Sequence, residues 1–179
     1  GIACFGGVTC GIVANDASVN GGVITCDGAK KAAKLISFCD SFSIPVVTLV
    51  DSIGVATGAE AEGAPLAAQL GKLAMAYATA NTAKIGVVCG KAYGAAFTLV
   101  GSKALGADIV YAAPKAEISV LSPEASVQFM FADEIKAADD SAAKRAELLN
   151  KWKSEEASPE KAAANGSIDD VVAYAETRA

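Results

Sequence analysis

Residues Gly90 to Lys103 read Gly-Lys-Ala-Tyr-Gly-Ala-Ala-Phe-Thr-Leu-Val-Gly-Ser-Lys, and their types and spacing suit one task, the presentation of backbone donors to an oxygen atom. A short apolar run, Ile85 to Cys89, precedes them, and Ala95 to Lys103 has few turn formers, so the order predicted is strand, tight turn, helix. Glycine at 94 permits a sharp turn and a close approach to a ligand, while the first helical amides, on Ala95 and Ala96, lack intrahelical acceptors. Unpaired amides at a helix start favour anions. The small side chains at 94, 95 and 96 leave those donors unshielded. The same pattern also describes an ordinary packing turn of an α/β protein, because a Gly-Ala-rich turn is a weak motif by itself.

Composition removes much competing chemistry. The sequence contains no histidine, so Ser-His and Cys-His nucleophilic pairs and histidine metal sites are excluded. Its five cysteines, at 4, 10, 26, 39 and 89, form no CxxC pair and mostly sit in apolar segments, which points to reduced thiols and a cytoplasmic home. The net charge is −5, and from Asp133 onward acids outnumber bases by 11 to 7. No basic cluster marks a nucleic-acid partner, and no apolar run marks direct membrane insertion. The N-terminus lacks the basic start and apolar core of a signal peptide, in keeping with a soluble cytosolic protein, and Gly1 in place of Met is expected of a fragment, a processed product or a trimmed chain.

The elements that must position the 90–103 segment follow from periodicity. With 53% apolar but only 6% aromatic residues, the core is built of Ala, Val, Ile and Leu at close backbone distances. Cys10 to Asn15 reads as a buried strand and residues 16 to 22 as a loop. From Asp27 a helix places Ala29, Ala32, Ala33, Ile36 and Cys39 or Asp40 on one face, with Lys30, Lys31 and Lys34 on a solvated face or, less simply, a basic rim. Ile44 to Val50 is a β-branched central strand ending at Asp51, a residue that suits a turn cap as well as a ligand contact. The loop from Ser52 to Gly63 leaves the carboxyl end of that strand, where open α/β sheets bind ligands.

A helix over Pro65 to Asn81, with Leu66, Leu70, Leu73, Ala74 and Tyr77 on one face, leads to a strand over Lys84 to Cys89. Strands over Ala107 to Ala112 and Glu117 to Leu121 come next, and the pattern is helical throughout beyond Ser122. Ser158-Pro159 starts a helix, Asn165-Gly166 stops it, and Val171, Val172 and Ala175 fall in a last helix. Trp152 suits a helix or interface anchor, and Ala137 to Ala164 could stand away from the core and meet a partner. The fold expected is α/β with a parallel sheet flanked by helices, in a single domain over residues 1–179 whose tail helices begin near 133.

Several segments, taken in order, resemble one family: the C-terminal half of the carboxyltransferase component of biotin-dependent acyl-CoA carboxylases and decarboxylases. The pieces are Gly11-Ile-Val-Ala-Asn15, Phe42-Ser-Ile-Pro-Val-Val47, Val50-Asp51, and Gly54 and Gly58 with Glu62. They continue with Lys91-Ala-Tyr-Gly94, Gly101-Ser-Lys103, Gly106-Ala-Asp108, Ala162-Ala-Ala-Asn-Gly166, Ile168-Asp-Asp-Val-Val172 and Thr177-Arg178. The resemblance implies a crotonase-like fold, in which ββα units stack as a superhelix, followed by C-terminal helices. It also implies an enzyme that transfers a carboxyl group between carboxybiotin and an acyl-CoA.

On that resemblance, the amides of Ala95 and Ala96 would form the oxyanion hole for the biotin ureido oxygen. Gly54, Gly58, Tyr93, Gly94 and Thr98 would bind biotin or substrate, Thr98 shaping acyl-chain preference. No side-chain base is required, because the biotin nitrogen itself can take the α-proton, in keeping with a chain that has no histidine. The partners implied are an N-terminal carboxyltransferase half that holds the acyl-CoA, a biotin carboxyl carrier protein, and further copies in a homo- or hetero-oligomer. Three positions depart from the family pattern: Ile53 and Ala83 where proline is usual, and Ala95 where glycine is common. Ile53, Ala95 and the short length leave in play a non-catalytic assembly or paralogous subunit, and a further alternative is a crotonase-type hydratase or isomerase, for which Glu60, Glu62, Glu117 and Glu124 are candidates by residue type.

Overall fold

A computed structural model describes residues 1–177, so that Arg178 of the Thr177-Arg178 pair lies outside the described residues. The centre is a mixed sheet in the order β1-β2-β3-β4-β5-β7, with β6 also paired to β4. Its strands are β1 (Ile2–Phe5), β2 (Val8–Ala14), β3 (Val46–Ser52), β4 (Lys84–Tyr93), β5 (Ile109–Ala112), β6 (Glu117–Ser119) and β7 (Asp170–Val171). Every pairing is parallel except the β1–β2 hairpin. The parallel core explains the continuous apolar runs at β3 and β4, since both faces of these strands are covered.

Helices α1 (Cys26–Ser41) and α3 (Leu66–Thr79) pack on one face, burying Ala29, Ile36 and Cys39 against Leu73, Ala76 and Tyr77. Thr25 caps α1 by accepting the Gly28 amide at 3.1 Å. Helix α3 is joined to the sheet by a buried polar contact, Thr48 Oγ1 to Tyr77 Oη at 2.9 Å. A second core cluster lies around β4 and β5, where Val88, Val110, Ala112 and Ile118 meet Ala162 and Ile168 of the tail.

The tail consists of α5 (Pro123–Met130), α6 (Ala132–Ala137), α7 (Ser141–Glu155) and α8 (Pro159–Ala164). Val127, Ile135 and Leu148 form its small core, with Trp152 edge-on to Phe131 at 6.2 Å. Ser122 and Ser158 cap α5 and α8, each with proline in the first turn. Lys103 pairs with Asp169, whose other oxygen accepts the Val110 amide at 2.8 Å, so the last strand is pinned beside β5.

Four expectations change. Residues 2–5 form a strand that periodicity did not single out, because β1 lies at the sheet edge and Ile2, Ala3 and Cys4 are exposed. The helix expected over Ala95 to Lys103 stops at Leu99, giving the five-residue α4 (Ala95–Leu99) followed by a 3-10 turn at Lys103–Leu105. Val171 lies in β7 and is followed by turns rather than a last helix: the Val172 amide bonds Ala112 O at 2.9 Å, so sheet pairing overrides local preference. The segment from Ala137 to Ala164 does not stand clear, since α7 reaches the sheet through Lys153 and Glu117.

Candidate active site

The Gly90–Lys103 segment is shaped by an interruption in the central pairing. Strands β3 and β4 run in register from Val46↔Lys84 to Val50↔Val88, and then the partner of Ser52 becomes Ala92. Two residues of β3 therefore span four of β4, and the excess bows β4 outward. Asp51 fills the bow: its Oδ1 accepts the Lys91 amide at 2.8 Å. Glycine at 90 is required by that approach, because a Cβ there would stand 2.5 Å from Asp51 Oδ1.

Asp51 is itself held by Asn15. The Asn15 Oδ1 accepts the Asp51 amide at 3.1 Å, and its Nδ2 donates to the carbonyls of Asp51 and, at 2.9 Å, of Gly22. In the sequence Asn15 ends a strand and the Gly11–Asn15 piece of the family resemblance, but its role depends on a loop seven residues away that sequence spacing does not reveal.

Beyond the bow, β4 continues to Tyr93 and turns at Gly94, whose φ of 56° and ψ of −127° are open to glycine and costly for other residues. The Gly94 amide bonds Ser119 O of β6 at 3.0 Å. The next three amides, of Ala95, Ala96 and Phe97, find no acceptor among the described residues. Ala95 is partly exposed and Ala96 is fully buried. With α4 only five residues long, the donors themselves carry any attraction for an oxygen, and a helix macrodipole adds little.

The loop after β3 meets this turn. A Cβ on Gly54 would lie 3.9 Å from Tyr93 O, while the Gly54 amide bonds Ser52 Oγ at 3.2 Å and its carbonyl accepts the Ile24 amide at 2.9 Å. Gly54, Tyr93, Gly94, Ala95 and Ala96 are thus brought together. Gly58 is exposed four residues further along, at the start of α2 (Ala59–Gly63), and Thr98 is exposed on α4.

Tyr93 is 4% exposed, and its hydroxyl donates to Glu117 Oε2. Lys153 Nζ donates to the other Glu117 oxygen at 3.1 Å and stands 3.9 Å from Glu124. Burial, followed by the hydrogen bond to the Glu117 carboxylate, drives the Tyr93 hydroxyl far above the usual phenol range. Burial pushes Glu117 towards protonation, but the Tyr93 and Lys153 bonds and the nearby Lys91 charge overcome it and hold Glu117 below the usual carboxylate range. Glu60 and Glu62 lie exposed on α2. Glu117 carries no motif signal; only the pairing of β6 with β4 places it beside Tyr93.

The carboxyl transferase domain family matches residues 1–179, the whole chain. The chain belongs to the carboxyl transferase family. Among curated relatives, it is 43% identical over 172 residues to the methylmalonyl-CoA carboxyltransferase 12S subunit of Propionibacterium freudenreichii subsp. shermanii, covering 96% of this chain and 33% of that one. It is 40% identical over 178 residues to the propionyl-CoA carboxylase carboxyltransferase subunit of Haloferax mediterranei, covering 99% and 34%. The carboxyl transferase chain thus spans about a third of the length of these relatives and corresponds to their C-terminal portion.

Among solved structures, transcarboxylase 12S with methylmalonyl-coenzyme A and methylmalonic acid bound, described as a hexamer, superposes with a TM-score of 0.93 at 42% identity, covering 99% of this chain and 34% of that one. The β subunit of the P. aeruginosa geranyl-CoA carboxylase superposes with a TM-score of 0.82 at 21% identity, which concerns the fold alone. The carboxyl transferase chain has the crotonase-like α/β fold. Among the described residues no helix is long and apolar enough to cross a membrane, and no group of three metal-ligating side chains occurs.

Proposed function

We propose that this chain is the carboxybiotin-receiving half of an acyl-CoA carboxyltransferase, a single domain over residues 1–179 that works with an N-terminal half holding the acyl-CoA. The supporting observation is a whole-chain match to transcarboxylase 12S, a protein solved with methylmalonyl-coenzyme A, joined to a turn whose first amides lack acceptors. A biotin carboxyl carrier protein, an oligomeric assembly and a cytoplasmic setting belong to the same reading, the last supported by five free thiols.

The residues fit the group. Carboxybiotin, when bound, supplies the carboxyl group together with a ureido oxygen that gathers negative charge as that group leaves. The Ala95 and Ala96 amides, fixed by the Gly94 turn, the first on a partly exposed residue and the second on a fully buried one, would hold that oxygen. Donors fixed before the reaction need no reorganisation, and losing one costs on the order of a hundred- to a thousandfold in rate in other enzymes. Gly54 and Gly58 would bound the approach from the β3 side, Tyr93 would position the turn from within, and Thr98 would face the acyl chain.

The test is carboxyl transfer from malonyl-CoA or methylmalonyl-CoA to free biotin, with this chain joined to an N-terminal half. Transfer without hydration of crotonyl-CoA supports the reading. A tight complex of the halves without transfer would replace it by the assembly-subunit reading, and crotonyl-CoA hydration by the chain alone would replace it by the hydratase reading.

A further inference from the structure

The end of β4 is weakly held by its own ladders. Its register with β3 is broken between Val88 and Ala92, and its pairing with β6 is three residues long, Lys91↔Glu117, Ala92↔Ile118 and Tyr93↔Ser119. Short ladders contribute little rigidity, yet the Gly94 turn begins one residue later. The turn depends on what else grips Tyr93.

We infer that Tyr93, Glu117 and Lys153 form a positioning device that fixes the Gly94 turn and makes its geometry depend on the tail helix α7. Strand β6 grips the turn at two points, Ser119 O on the Gly94 amide at 3.0 Å and the Glu117 carboxylate on the Tyr93 hydroxyl. The carboxylate is in turn oriented by Lys153 Nζ at 3.1 Å, from a residue 36 positions further along the chain. A hydrogen-bonded, partly buried ion pair adds little net stability over an apolar cluster of the same volume, and its distinctive contribution is direction. Here that direction falls on the residue immediately before the turn. Carboxylate bonds to a buried hydroxyl and an ammonium are charge-assisted and geometrically narrow, so a shift of α7 passes to Tyr93 and then to Gly94.

This inference rests on the proposed function only for its catalytic consequence, and two readouts keep the two apart. The first is hydrogen exchange at the Gly94 amide in the full chain, which reports the grip without any reaction. Tyr93→Phe and Glu117→Gln are expected to raise that exchange by about tenfold, the loss of one charge-assisted bond, with β3 core amides unchanged. Lys153→Met should do the same and Lys153→Arg should restore protection. The second readout, in the assembled enzyme, is a fall in kcat for carboxyl transfer of about tenfold with KM for acyl-CoA unchanged. Gly94 protection that stays at the wild-type level in both Tyr93→Phe and Glu117→Gln would overturn the inference. Wild-type enzyme without transfer would overturn the function instead, leaving the exchange result to decide the positioning.

Discussion

Asp51 Oδ1 accepts the Lys91 amide at 2.8 Å where β3 and β4 lose register, so a side chain of the central strand takes the place of a missing ladder bond. The carboxylate lies against Gly90, and the bow it stabilises sets the path of β4 into the Gly94 turn. A residue that sequence alone left between a turn cap and a ligand contact thus holds the backbone that leads to the site.

Gly90→Ala is therefore expected to destabilise the chain by about 1–3 kcal/mol, because the new methyl must displace the Asp51 carboxylate. Urea unfolding measures it. Asp51→Ala in the Gly90→Ala background should cost less than the sum of the two single changes, since the clash disappears with the carboxylate.

The burial of Tyr77 weakens the fold at alkaline pH. Burial pushes the Tyr77 hydroxyl up to about 12, offset in part by its bond to Thr48. A raised folded-state value means that the contribution is complete below the unfolded phenol value of about 10 and is lost as pH rises towards 12. The melting temperature is expected to fall across that window. Tyr77→Phe should flatten part of the fall, to which Tyr93 and the thiols of Cys39 and Cys89, all raised by burial, also contribute, while costing about 1 kcal/mol at neutral pH for the stranded Thr48 hydroxyl.

Glu117 behaves in the opposite sense. Its folded-state value is depressed, so its contribution is present above the ordinary glutamate range and lost as pH falls through the folded value. Glu117→Gln should make acid unfolding less steep at the low end of the titration, with Tyr93, Lys153 and Lys91 the groups that lose their partner. A denaturation series from neutral pH into the acid range checks it.

Leu148 is 6% exposed in the small cluster of Val127 and Ile135. Leu148→Ala is expected to cost about 2–5 kcal/mol, felt first in α5, α6 and α7. Hydrogen exchange should show these helices opening before β3 and β4.

What the sequence made legible follows from where periodicity is strong. Ala29, Ile36 and Cys39 on α1, and Leu73 and Tyr77 on α3, repeat at helical spacing because each helix buries one face on the sheet. The β-branched run of β3 needed no alternation because the strand is covered on both sides. Edge strands β1 and β7 were not legible: one is largely exposed, and the other is two residues long and formed by pairing with β5. At the site, Gly94 and its two alanines were readable as a local turn. The roles of Asn15, Glu117 and Lys153 were not, since each acts on a residue distant in sequence.

The central claim is that the amides at the start of α4 stabilise developing charge. Ala96 is fully buried, so proline there would overfill the core, whereas Ala95 is partly exposed at the first helical position, where the proline ring and its missing N–H are tolerated. The deciding measurement is carboxyl transfer from methylmalonyl-CoA to biotin by the assembled enzyme, wild type against Ala95→Pro, with circular dichroism recorded on both. A native spectrum with kcat reduced on the order of a hundredfold or more is the predicted result. A native spectrum with undiminished transfer would contradict the claim.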